Sequence, residues 1–194
     1  LENLVSEAEL SRFTKEYFNA NIAGHKLSTD AYICDNELRL FTISRFGIKH
    51  KFELYLTALL AFEDNGIEYE ASYYYFDKDK DKVMTYELSN LDYIDAKNLL
   101  KHYIQKAKEF STKPMLAYLS LAETVFADGE AYGKKYKKTD KQKQEAWDKV
   151  ISDDNNPMTL DKDGYFRLFY PQDPSTAELA RGVYDEFFEV LNSE

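Results

Sequence analysis

"ASYYYFDKDKDKVMTYELS", residues 71–89, is the stretch on which the fold turns. Ile67, Tyr69, Ala71, Tyr73 and Tyr75 alternate with Glu68, Glu70, Ser72, Tyr74 and Phe76, the two-residue period of a strand with one buried face. Val83 to Leu88 returns after a six-residue tip. If Phe76 pairs with Val83, Tyr73 opposes Tyr86 and Tyr75 opposes Met84 on a core face, while Ser72 opposes Glu87 on a wet, acidic face. The stretch therefore reads as a hairpin with its carboxylates turned outward.

Working toward the N-terminus, "KHKFELYLTALLAFEDNG" places Phe52, Leu56, Leu59 and Phe62 on one helical stripe over about 50–64. Asn65-Gly66 supplies a left-handed stop. Before it, residues 31–46 alternate on both sides of Asp35-Asn36, residue types that tolerate the positive φ of a tight hairpin turn, so a second hairpin is expected there with Cys34 beside the turn. At the start, Ser6 with Glu9 makes a capping box and Val5 can meet Leu10, which predicts a helix over 6–19 with Leu10, Phe13 and Tyr17 on one face. "NIAGHKLST" reads as the loop after it.

Toward the C-terminus, Ser89-Asn90 is placed to cap a helix over about 91–110, in which Ala96, Leu100, Tyr103, Ala107 and Phe110 keep helical spacing. Pro114 opens another, and residues 115–127 are apolar around most of the circumference, as in a central buried helix. Asp140 is placed to cap a short helix carrying Trp147, Val150 and Ile151; "GYFRLFYP" is a late strand; Ser175 with Glu178 caps a last helix. The order α-ββ-α-ββ-α-α-(α)-β-α describes an antiparallel sheet of about five strands, two hairpins plus one late strand, packed against helices: a single α+β domain over residues 1–194.

Composition narrows the function classes. A net charge of −10, from 35 acidic and 25 basic residues, repels phosphate backbones and favours a basic protein partner, such as a nuclease or nucleic-acid-binding protein, over direct binding of nucleic acid or an anionic membrane. Hydrophobic residues at 44% suffice for a core, yet no run reaches the ~20 apolar residues of a membrane helix. Cys34 is the sole cysteine, so no intrachain disulfide can form, which suits a reducing, cytoplasmic setting. The chain opens at Leu1 rather than Met, as one shorn of a leader, tag or upstream segment does, so the lack of a signal peptide carries no weight on localisation.

Several motifs suggest chemistry and then fail. Asp77, Asp79 and Asp81 begin like a calcium loop, but Lys82 stands where Gly is wanted and Leu88 where the bidentate Glu is wanted. A charged hairpin tip is expected instead. Around Gly164, Asp161 and Asp163 fall correctly, but Thr159 and Tyr170 occupy the first and last ligand slots, which leaves an Asp-Gly turn. His25, His50 and His102 have no metal-ligand spacing, and no Gly-x-Ser-x-Gly elbow or Gly-rich phosphate cradle occurs. No cofactor is implied. The run from Lys134 to Lys143 holds six Lys and one Asp, with Tyr132 and Tyr136 nearby, and reads as a solvated interhelical loop.

What remains is the carboxylate cluster of Glu68, Glu70 and Glu87 with Ser72 and Tyr74. Such acids can hold Mg²⁺ or divide acid and base work, although the Lys that metal nucleases add two residues after an acid is missing; Glu37-Leu38-Arg39 comes nearest. The leading expectation is a non-catalytic interaction protein of inhibitor, immunity or anti-defence type, which meets a basic partner through Glu68, Glu70, Tyr74 and Glu87. A metal-dependent phosphodiester hydrolase using the same acids is the alternative, and a regulatory or scaffold domain of a larger chain a third.

Overall fold

The structure, a computed structural model, describes residues 10–112, 119–131, 134–152 and 183–193. These divide into two compact units, one reaching through Tyr103 and the other running from Ile104 to Ser193.

The first unit is built on a five-stranded sheet in the spatial order β1-β2-β3-β4-β5, with β1 Thr14–Ile22, β2 His25–Cys34, β3 Glu37–Thr42, β4 Glu70–Asp77 and β5 Lys82–Leu88. Helix α1, Ile48–Asn65, joins β3 to β4, and α2, Ala96–Thr112, follows β5. The β4–β5 hairpin has the register that the sequence predicts: Phe76 lies opposite Val83, Tyr73 opposite Tyr86, Tyr75 opposite Met84 and Ser72 opposite Glu87. The β2–β3 hairpin turns at Asp35, whose φ is 51°, with Cys34 half-buried beside it.

Three expectations are corrected here. The sheet is mixed, not antiparallel throughout, because β3 and β4 pair in parallel from Glu37 opposite Glu70 to Thr42 opposite Tyr75. A helix of 18 residues carries the chain back to the end of the sheet where β3 began, so the two strands it joins run the same way. The helix expected over 6–19 is, within the described residues, a 3-10 turn at Leu10–Arg12 and then β1. Ala23 and Gly24, with φ of 50° and 80°, close a two-residue hairpin between β1 and β2, where a plain loop was expected. The fifth strand is therefore β1, and the late strand expected at 164–171 lies outside the described residues.

One face of the sheet packs on α1. Phe18, Ile22, Ala31, Ile33, Leu38, Ala71, Tyr73 and Leu88 from the strands are buried, as are Leu54, Tyr55, Ala58, Leu59 and Ala61 from the helix. Two polar pairs lie in this layer: Thr29 Oγ1 and Thr57 Oγ1 are 3.2 Å apart, and the Tyr73 hydroxyl donates to Glu53 at 3.0 Å. Gly66 ends α1 at φ 74°, its N–H donating to the Phe62 carbonyl at 2.7 Å, the left-handed stop that Asn65-Gly66 announces.

Helix α2 starts later than residues 89–91 suggest. Asn90 has φ 59°, and Tyr93 is buried with its hydroxyl donating to the Tyr69 carbonyl at 2.7 Å. That anchor keeps residues 89–93 out of the helix, and a turn at Ile94-Asp95 leads into Ala96.

The second unit contains α3 Leu119–Phe126, the short strands β6 Gly129–Ala131 and β7 Lys134–Tyr136, α4 Asp140–Ser152 and α5 Asp185–Asn192. Helix α3 buries Ala122, Val125 and Phe126 but exposes Thr124, so it is one-sided where a helix buried all round was expected. Asn192 clamps its end, with Nδ2 donating to the Phe126 carbonyl at 3.1 Å and Oδ1 accepting the Asp128 N–H at 3.0 Å. Helix α4 is capped by Thr139 rather than Asp140: the Thr139 N–H donates to Gln142 Oε1 at 2.9 Å and the Gln142 N–H returns to Thr139 Oγ1 at 3.3 Å. The sites proposed at Ser6, Pro114, Asp161, Asp163, Gly164, Ser175 and Glu178 lie outside the described residues. Among the described residues no helix is long and apolar enough to cross a membrane.

Candidate functional site

The sheet face opposite α1 is built by residues that alternate out of the core. Register aligns Glu37 with Glu70, Arg39 with Ser72 and then Glu87, and Phe41 with Tyr74 and then Thr85, in rows across β3, β4 and β5. Over the first of these rows lies a concavity of about 690 Å³, lined by Glu68, Glu70, Tyr74 and Glu87 together with Glu37 and Arg39. The four positions singled out from the alternation thus line one surface.

Charge on this surface is one-sided. Glu68, Glu70 and Glu87 are exposed, and none of them makes an ion pair or a side-chain hydrogen bond among the described residues. Glu70 stands directly opposite Glu37, a like-charge neighbour that costs stability on a sheet face. Arg39 offsets part of this, donating from Nη2 to Glu37 Oε2 at 2.6 Å. Its guanidinium lies 4.1 Å from the centre of the Phe13 ring and 4.9 Å from that of Tyr74, and its side chain is only 13% exposed. The cation is sunk into an aromatic sandwich, which leaves the rim to carboxylates. Tyr74 is half-buried with one ring face occupied by Arg39.

Beneath the rim, burial pushes the Tyr93 hydroxyl well above its ordinary range. It stays protonated at any physiological pH, in keeping with its bond to the Tyr69 carbonyl, and fixes the wall formed by residues 88–93.

Other sequence candidates are dispersed. Asp77, at the hairpin tip, accepts the N–H groups of Asp79 and Lys80 at 3.0 and 3.2 Å, a local turn in keeping with the expected charged tip. His25 begins β2, His50 lies in α1 and His102 in α2. Among the described residues, no three His, Cys, Asp or Glu side chains stand close enough to hold a metal ion, so the acids of the concavity form no ready-made cation cage. The Lys-rich run is not the loop expected. Lys134 and Lys135 fall in β7, Lys141 and Lys143 in α4, and Lys138 donates to the Thr124 carbonyl at 2.7 Å, with burial lowering its pKa.

Arg39 and Phe13 were not singled out from the sequence as parts of this surface. Period-two alternation of Glu37, Arg39 and Phe41 beside Leu38 and Leu40 carries the signal for Arg39; the spacing that predicts a helix over 6–19 puts Phe13 on another face. No protein-family model matches the chain, and no curated protein matches it either.

Proposed function

We propose that the chain is a non-catalytic interaction protein, of the kind that inhibits or neutralises a basic protein, and that the concavity on the open sheet face is where the partner docks. The observation that carries this reading is the grouping of exposed, uncompensated Glu68, Glu70 and Glu87 around Tyr74 on one 690 Å³ concavity. Charge left unpaired against its own neighbours departs from what sheet stability favours, and such departures are expected where a surface serves binding. Carboxylates of this kind speed encounter with a basic surface and set its orientation, while an aromatic ring held rigid by Arg39 offers contact area with little entropy left to lose.

An arginine-rich peptide titrated into the ¹⁵N-labelled protein tests this at residue resolution. The expected result is amide shifts concentrated at residues 68–74 and 85–91, abolished in the E68K/E70K/E87K variant. Shifts scattered over the surface, or unaffected by that variant, would refute the assignment of the face.

A further inference from the structure

The first turn of α1 holds a histidine, His50, with both ring nitrogens engaged. His50 is 5% exposed. Its Nδ1 accepts the backbone N–H of Gly47 at 3.2 Å, and its Nε2 lies 3.2 Å from Ser44 Oγ, which in turn lies 2.8 Å from Thr42 Oγ1. A backbone amide can only donate, so Nδ1 must be bare and the proton must sit on Nε2. The ring is stacked on Phe46 at 5.6 Å and meets Tyr73 edge-on at 5.3 Å. Gly47 is the N-cap of α1 and has no side chain to cap with, so the imidazole at the third helical position supplies the contact that ties cap to helix.

We propose that His50 is a pH-operated latch: neutral, it pins residues 44–47 to the start of α1, and protonated at Nδ1 it sets N–H against N–H and releases them. The released segment carries Arg45 and Phe46, which line a cavity of about 520 Å³ together with residues from Tyr75 to Asp79, Phe46 stacking on Tyr75 at 4.2 Å. Acidification would therefore loosen the part of that lining that residues 45 and 46 supply.

The charged surroundings favour the neutral ring. Burial lowers the His50 pKa first and Lys49 lowers it further, while Glu53, one turn along α1, and the Gly47 backbone act the other way without prevailing. Glu53 is itself engaged by the Tyr73 hydroxyl of β4. From β5, Tyr86 packs on Phe46 and carries the Lys51 ammonium 4.5 Å from its ring centre, and Arg45 in the connection adds another cation. A cation at a helix N-terminus is also opposed by the helix dipole. Since the folded-state value lies below the unfolded one, the stabilisation is complete above the unfolded value of ~6.5 and is lost as pH falls beneath it.

Two measurements test the latch. In the wild-type protein, ¹⁵N NMR of the ring should show Nε2 protonated at neutral pH, with titration only below the ordinary histidine value and amide exchange of residues 44–50 quickening in step. In parallel, His50→Gln keeps an acceptor for the Gly47 N–H but cannot titrate. Relative to it, the wild-type unfolding constant should rise by as much as about tenfold per pH unit below ~6.5. Titration at or above the ordinary value, or wild type and variant losing stability in parallel, overturns the proposal; if the variant does not fold, the ring titration and the exchange of residues 44–50 decide.

Discussion

Arg39 shows how a single side chain can shape a surface without being its recognition element. Sandwiched between Phe13 and Tyr74 and bonded to Glu37, it rigidifies the ring that the carboxylates surround. Arg39→Ala should cost ~2 kcal/mol, measured as a drop in the urea midpoint, because stacking and the charge-assisted bond are lost together. Arg39→Lys should recover less than half of that, since an ammonium cannot stack as a guanidinium does. At this scale the sequence was readable wherever alternation was clean. Glu68, Glu70, Tyr74 and Glu87 could be placed on one face because Ala71, Tyr73 and Leu88 occupy the other. Phe13 could not be placed, because its partner Arg39 is brought to it only by tertiary packing.

Elements were legible in proportion to how well their spacing separates the two periods. The hairpin at 70–88 contains runs that alternate strictly, and its register follows from them. In β1 the buried residues are Phe18 and Ile22, four apart, a spacing that places two side chains on one face of either a helix or a strand. Leu10, Phe13 and Tyr17 in the same neighbourhood extend the helical spacing; what decides for the strand is the Ala23-Gly24 turn that lets it pair with β2. Helix ends offer sharper tests. Gly66→Ala places a Cβ at φ 74° and should destabilise by ~1 kcal/mol even though no atom lies within 4 Å of the added group. Thr139→Ala removes the oxygen that caps α4 and should cost ~1 kcal/mol, whereas Asp140→Ala should change stability by less than half as much. Chemical denaturation of each variant checks both.

For the whole molecule, the mixed sheet is the feature that local patterning leaves open. Two hairpins and a helix between them are compatible with several strand orders, and only the crossover of α1 makes β3 and β4 parallel neighbours, which brings Glu37 and Arg39 beside Glu70 and Ser72. The single-domain reading of residues 1–194 predicts one calorimetric unfolding transition; two separated transitions, one for each compact unit, would contradict it. The net charge of −10 adds a long-range field to the local cluster, so salt should weaken binding of a basic partner through the rate of encounter more than through dissociation. The most direct test is stopped-flow association of an arginine-rich peptide across a range of ionic strength. The wild-type rate constant should fall steeply with salt, and the E68K/E70K/E87K variant should associate more slowly with a markedly flatter dependence. An association rate and salt slope unchanged by the triple substitution would show that this concavity does not meet the partner.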